Sequence, residues 1–130
     1  MPLVALVVDD SMLIRHTICR FLEDQGFAVE SATNGRDALA ILHRMRPDLI
    51  VTDLQMPVMS GTELITAVKS RPETSSIPIV IVAGRSSALS HQEERAQFTI
   101  FKDIDIVEQL KTAIDAVMKP PSPRQEASGA

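Results

Sequence analysis

Acidic side chains and a lysine follow apolar segments of this chain at three places. Asp9 and Asp10 come directly after the first apolar segment, Asp53 after the third, and Lys102 after the fifth. If the first and third segments are neighbouring strands, about 4.8 Å apart, the carboxylates converge and repel one another. Magnesium, a hard cation that takes one or two carboxylates together with phosphate oxygens, would relieve this repulsion. The residues therefore predict a magnesium site.

Asp53 is the candidate for covalent chemistry at this site. A carboxylate can act as a nucleophile and carry a phosphoryl group as an acyl phosphate. Phosphoryl transfer needs mainly positioning and charge neutralisation, which the metal and the Lys102 ammonium would supply. The competing structural interpretation is that Asp9 and Asp10 only cap the following helix, while Asp53 begins a turn. Helix capping requires neither two adjacent acids nor a third acid at the end of another strand. We therefore favour a magnesium site at which Asp53 accepts a phosphoryl group.

Five short aliphatic segments are predicted to be the strands that carry these residues. They are Leu3 to Val8, Phe27 to Ala32, Leu49 to Thr52, Ile77 to Val82 and Phe98 to Phe101. Strands that alternate with helices form a parallel sheet that is covered on both faces, with right-handed crossovers. In such sheets ligands bind at the carboxyl ends of the strands, where the acidic residues and Lys102 lie.

Four helices are predicted from apolar periodicity and capping residues. Their predicted starts are Asp10 or Ser11, Asn34, the capping box from Ser60 to Glu63, and Asp103 or Asp105. Their predicted ends are before Gly26, near Arg46 because Pro47 follows, before Pro72, and near Met118. The stretch from Arg85 to Gln97 has only a thin apolar face, so we expect a short or mobile helix there.

Composition limits the kinds of partner. The net charge is −4 and no Lys/Arg cluster stands out, which argues against direct nucleic-acid binding. No apolar run approaches the roughly 20 residues that span a bilayer, and no signal peptide is visible, so we expect a cytoplasmic protein that does not enter a membrane. Cys19 is the single cysteine, and we interpret it as structural.

Three segments together resemble a known family. They are Val7 to Ser11 (VVDDS), residues 48–57 (DLIVTDLQMP), and Gly61. These motifs are similar to those of bacterial two-component response-regulator receiver domains, whose fold is that of the chemotaxis receiver. The resemblance covers about residues 3–118. It implies a flavodoxin-like α/β fold, a doubly wound five-stranded parallel sheet in the order 2-1-3-4-5 with helices on both faces. We expect the receiver domain over residues 1–119 and a Pro/Ser-containing tail or linker stub over residues 120–130.

The resemblance also implies roles for individual residues. Asp53 would be phosphorylated, and Lys102 would neutralise phosphoryl charge. The implied metal ligands are Asp10, Asp53 and the backbone carbonyl of Gln55, with Asp9 assisting, and the implied phosphoryl contacts are the backbone of Ala83 and Gly84. The phosphoryl donor would be a histidine kinase or a histidine phosphotransfer protein. A downstream protein would receive the signal, and a homodimer is a further option.

Three departures from the family pattern affect signal output. Ala83 stands where members usually have a hydroxyl residue, Asp103 follows the lysine where proline is usual, and Thr99 replaces an aromatic residue. These departures favour weak coupling between phosphorylation and output. They also support a second hypothesis, a degenerate receiver that acts as a phosphorylation-independent interaction module.

Two enzyme classes fit less well, and we expect no enzyme activity. Magnesium-dependent phosphohydrolases with an aspartyl nucleophile usually carry a second acid two residues later, where this chain has Gln55. No G-x-G-x-x-G motif follows the first strand, which argues against a dinucleotide-binding enzyme.

Overall fold

The apolar segments form five parallel strands in the computed structural model of the protein, which describes residues 3–84, 95–102 and 105–118. The strands are β1 (Val4–Val8), β2 (Ala28–Ala32), β3 (Leu49–Asp53), β4 (Ile79–Ala83) and β5 (Phe98–Phe101). The described helices are α1 (Met12–Asp24), α2 (Gly35–Leu42), α3 (Gly61–Lys69) and α4 (Ile106–Met118).

The strands lie in the order β2-β1-β3-β4-β5, which confirms the predicted topology. Every residue of β3 and β4 is buried, whereas the edge strand β2 is largely exposed. The register pairs Val8 with Thr52, Asp53 with Val82, and Ala83 with Phe101. The carboxyl ends of β1, β3, β4 and β5 therefore meet at the same edge of the sheet.

Two apolar cores lie on opposite faces of the sheet, because successive side chains of a strand point to opposite sides. In β1, Leu6 and Val8 join the core beneath α2 and α3, while Ala5 and Val7 join the core beneath α1 and α4. Helices on both faces confirm the doubly wound arrangement. None of the helices within the described ranges is long and apolar enough to cross a membrane.

Capping side chains fix the start of each helix that leads away from the site. Ser11 caps α1, its hydroxyl accepting from the Ile14 N–H at 3.3 Å. Ser60 and Glu63 form the predicted capping box of α3, and Asn34 caps α2. At α4, the Asp105 carboxylate accepts from the Glu108 N–H at 3.3 Å. Since Ser11 caps α1, the acids Asp9 and Asp10 are left for another role.

The end of α2 differs from the prediction. The helix ends at Leu42, four residues before Arg46. The Arg44 N–H donates to the Ile41 carbonyl at 2.9 Å, and this tighter i to i+3 turn satisfies terminal carbonyls before Pro47 is reached. Met45 lies beyond the helix, yet it packs against the core as predicted.

The predicted short or mobile helix falls largely on residues 85–94, outside the described residues. Residues 95–97 form a turn that leads into β5. The predicted tail at residues 120–130 also lies outside the described part of the chain. The same holds for the predicted end of the domain at residue 119 and for Asp103.

Candidate functional site

Three strands deliver the charged residues of the site to one edge of the sheet. Asp9 follows β1, Asp53 is the last residue of β3, and Lys102 follows β5. β1 and β3 are neighbours, but β4 separates β3 from β5. The long side chain of Lys102 bridges this gap, of about 9.6 Å between strand axes, and its Nζ lies 2.8 Å from Asp53 Oδ2.

Lys102 is shared between the two buried acids. Besides the bond to Asp53, its Nζ lies 3.3 Å from Asp9 Oδ2 and 3.4 Å from Asp9 Oδ1. Burial alone would lower the pKa of Lys102, but the hydrogen bond to Asp53 and the charges of Asp53 and Asp9 outweigh it, so the pKa is raised above its ordinary value. Lys102 is therefore a firmly protonated cation within the site.

Asp9 is buried, with 1% of its surface exposed. Its Oδ1 accepts from the Ser11 N–H at 2.9 Å. Its Oδ2 lies at ion-pair distance from Lys102 but accepts no hydrogen bond from the described residues. Burial raises the pKa of Asp9, and the neighbouring Asp53 carboxylate adds to this rise. Asp9 thus carries a buried oxygen that has an ion-pair partner in Lys102 but no hydrogen-bond donor among the described residues.

Backbone groups hold the carboxylate of Asp53. Its Oδ1 accepts from the N–H groups of Leu54 at 2.8 Å and Gln55 at 3.4 Å, while its Oδ2 accepts from Lys102. Behind it, Gly61 begins α3 so close that an added Cβ would lie 1.9 Å from the Asp53 carbonyl oxygen. Position 61 therefore has a steric reason to be glycine, directly behind Asp53.

The predicted metal ligands come together. Asp9, Asp10 and Asp53 each offer a carboxylate oxygen, and these oxygens lie within 4.8 Å of one another. Asp10 is exposed to solvent, whereas the other two acids are buried. Three carboxylates lie close to the Lys102 ammonium. Asp9 Oδ2, which accepts no hydrogen bond from the described residues, offers a lone pair to a cation. The site therefore fits a hard divalent cation with oxygen ligands.

The other predicted site residues border this cluster. Gln55 lies in the loop after β3, two residues beyond Asp53, and its side chain is exposed. Ala83 ends β4, and its carbonyl accepts from the Lys102 N–H at 3.0 Å. A Cβ added to Gly84 would meet no atom of the described residues within 4 Å. Thr99, which is a departure from the family pattern and not a predicted site residue, lies within β5, paired with Ile81.

Arg15 is a site neighbour that the sequence did not reveal. Its Nη1 donates to the Asp9 carbonyl at 2.9 Å, from the second turn of α1. It thereby fixes the backbone that joins β1 to the acidic pair. An arginine one helical turn beyond two strand-end acids is the signal that could have identified it.

Comparison with known proteins gives a consistent result. The profile of the family described as Response regulator receiver domain matches residues 5–115. Protein PilH of Pseudomonas aeruginosa is 31% identical over 116 residues, which are 87% of this chain and 95% of PilH. A protein-glutamate methylesterase/protein-glutamine glutaminase of Clostridium acetobutylicum is 45% identical over 83 residues, which are 62% of this chain. The chain spans only 24% of the length of that relative.

Solved structures agree with this family match. The chemotaxis response regulator CheY4 of Vibrio cholerae superimposes with a TM-score of 0.81 at 33% identity, covering 90% of this chain and 99% of CheY4. The likeness supports a phosphoacceptor role in two-component signalling and does not favour the phosphorylation-independent module. The receiver domain family is a family of signalling domains. This chain belongs to the response regulator receiver domain family.

Proposed function

We propose that Asp53 accepts the phosphoryl group, with Mg²⁺, from a histidine kinase or a histidine phosphotransfer protein. The observation that carries this proposal is the setting of the Asp53 carboxylate. It bonds to the Lys102 ammonium, 2.8 Å away, and belongs to the same cluster as the carboxylates of Asp9 and Asp10. A carboxylate beside both a fixed cation and an acidic cation site has what phosphoryl transfer needs, namely position and charge neutralisation.

The transfer exchanges one bond to phosphorus for another. An Asp53 carboxylate oxygen forms a bond to the phosphorus atom, while the bond between phosphorus and the donor's histidine nitrogen breaks. The imidazole nitrogen keeps the electron pair of the broken bond. The backbone N–H groups of Leu54 and Gln55 hold Oδ1 during this exchange, so the carboxylate does not have to reorient to react.

Lys102 and nearby backbone groups would bind the phosphoryl oxygens. Lys102 already lies beside Asp53, and its raised pKa keeps the ammonium charged at neutral pH. Ala83 offers no hydroxyl, so we assign the remaining contacts to the backbone of Ala83 and Gly84, where no described residue would contact a Cβ added to Gly84. These contacts are fewer than a hydroxyl residue at position 83 would give.

The metal would be held by the acidic cluster. We assign direct ligation to Asp10, Asp53 and the backbone carbonyl of Gln55, with Asp9 assisting. When bound, Mg²⁺ neutralises charge on the phosphoryl oxygens and relieves the repulsion among the acids. The buried Oδ2 of Asp9, which accepts no hydrogen bond from the described residues, supports this assignment.

Intact-mass measurement of labelling by acetyl phosphate tests the proposal. The parent protein should gain one phosphoryl group in Mg²⁺ and none in excess chelator. Asp53→Asn should abolish the label, because an amide oxygen is not a nucleophile of this kind. Asp48→Asn is the matched control, since Asp48 precedes the other end of β3 and accepts from the Val4 N–H at 2.8 Å. A label that survives in Asp53→Asn, or that forms equally well in chelator, would contradict the proposal.

A further inference from the structure

The end of β5 is held by a side chain from α4. β5 is an edge strand, so the backbone groups of Phe101 that point away from β4 have no neighbouring strand to bond. The side-chain amide of Gln109 satisfies both of them. Its Oε1 accepts from the Phe101 N–H at 3.0 Å, and its Nε2 donates to the Phe101 carbonyl at 2.8 Å. One amide thus replaces the peptide group of a missing strand.

The same amide also reaches the beginning of α4. Gln109 Nε2 lies 3.3 Å from the Asp105 carbonyl, to which it donates. Phe101 and Asp105 are the residues on either side of the connection 102–104, and Lys102 is its first residue. Gln109 therefore ties together both ends of the segment that carries the catalytic lysine.

The position of Lys102 depends on this support. On its inner side, the Lys102 N–H donates to the Ala83 carbonyl at 3.0 Å, and its side chain must extend across β4 to reach Asp53. No proline lies in the connection 102–104, so no ring restricts a backbone φ angle there. A small rotation of the edge strand would move the ammonium away from Asp53, and the Phe101 to Gln109 pair opposes that rotation.

We infer that Gln109 is a positioning residue, which holds β5 and the Lys102 backbone so that the ammonium meets Asp53 and its phosphoryl group. The inference rests on the proposed function, because Lys102 matters only if Asp53 reacts. For residues that orient metal ligands, loss of such outer support lowers metal affinity or activity by about 10- to 100-fold, and we take the lower end of that range for Gln109. Gln109 should affect the rate of Asp53 labelling only by positioning Lys102.

Gln97 provides a matched control. It is a second glutamine whose side chain holds a strand backbone, since its Oε1 accepts from the Ile79 N–H at 2.7 Å. It lies before β5, at the end of the sheet away from the site. Gln97→Leu should therefore lower the melting temperature without slowing the labelling of Asp53.

The experiment compares initial rates of labelling by acetyl phosphate in saturating Mg²⁺, with melting temperatures measured alongside. Gln109→Leu should lower the rate about tenfold. Gln109→Glu should also lower the rate, because it keeps the acceptor for the Phe101 N–H but places a carboxylate oxygen opposite the Phe101 carbonyl. In a Lys102→Met background, Gln109→Leu should cause no further loss, which a merely structural role would not predict.

Separate outcomes would overturn the inference and the proposed function. An unchanged rate in Gln109→Leu, or an equal loss in Gln97→Leu or in the Lys102→Met background, overturns the role of Gln109. If Gln109→Leu does not fold, the rate of Gln109→Glu decides in the same way. If Lys102→Met labels as fast as the parent, the role of Lys102 in the proposed function is itself wrong, and the inference is overturned with it.

Discussion

Asp9 and Asp10 are adjacent acids in different environments. Asp9 is buried and its pKa is raised, first by burial and then by Asp53, whereas Asp10 is exposed. A buried ionised carboxylate with an unsatisfied oxygen costs folding free energy. Asp9 therefore lowers the free energy of unfolding of the metal-free protein, and a bound cation would raise it again.

The pKa of Asp9 predicts how stability depends on pH. The folded protein holds the Asp9 proton more tightly than the unfolded chain, whose aspartate pKa is about 3.9. The contribution of Asp9 to stability is therefore lost as pH rises from that value through the raised folded-state pKa. Without divalent metal, Asp9→Asn should melt a few degrees higher than the parent at pH 7, where about 1 kcal/mol corresponds to roughly 3 to 6 °C.

Melting curves from pH 4 to pH 8 in chelator test this prediction. The advantage of Asp9→Asn should shrink towards pH 4, where the parent becomes protonated. Asp10→Asn is the control, because Asp10 is exposed and its charge is not buried. Its melting temperature should not show this dependence on pH. If Asp9→Asn melts below the parent at pH 7, then the contacts of Asp9 with Ser11 and Lys102 outweigh its burial.

At the scale of elements, the loop between β3 and α3 contains a strained turn. Val58 has a φ of 71°, and the Met59 N–H donates to the Pro57 carbonyl at 2.7 Å. This is a γ-turn with positive φ, which is rare and strained, and a β-branched residue is poorly suited to it. Val58 is also 66% exposed, so packing does not explain its side chain.

Val58→Asn should stabilise the protein, because asparagine adopts positive φ more readily than valine. We expect a gain of about 1 kcal/mol, measured by urea unfolding. Val107→Asn is the control, since Val107 is an exposed valine, 41% accessible, within the regular helix α4. The prediction fails if Val58→Asn is no more stable than the parent.

The contact between α3 and β3 predicts the opposite effect at Gly61. Gly61→Ala should lower the free energy of unfolding by about 1 to 3 kcal/mol and slow the labelling of Asp53, since the new Cβ would force the Asp53 backbone away. Gly84→Ala, whose Cβ would lie more than 4 Å from every non-neighbouring group in the described part of the chain, should leave the unfolding free energy nearly unchanged. Equal stabilities for the two variants would contradict this account.

At the scale of the whole molecule, we propose that the folded domain ends near residue 119. Val117 and Met118 of α4 still pack against the core, whereas the sequence from Pro120 onward has no apolar periodicity. Truncation after residue 119 should leave the melting temperature within about 2 °C of the parent. Truncation after residue 113, which removes the buried Ile114, should lower it clearly. A large loss in the first truncation would show that the tail belongs to the domain.

The sequence by itself determined the features that depend on local order along the chain. Alternation of strands and helices, the caps at Asn34 and Ser60, and acids at two strand ends all follow from residue type and spacing. Because parallel strands end at a common edge, these local features also predicted that Asp9, Asp10 and Asp53 would meet. The strand order came from family resemblance, since periodicity does not say which strands are neighbours.

Only the tertiary structure decided how the site is supported. That Lys102 bonds to both Asp53 and Asp9, and that Asp9 Oδ2 accepts no hydrogen bond from the described residues, depend on how β1, β3 and β5 are placed. The pairing of Gln109 with Phe101 joins a helix to an edge strand. Such contacts depend on the relative placement of separate elements, which the two cores fix and which no local pattern encodes.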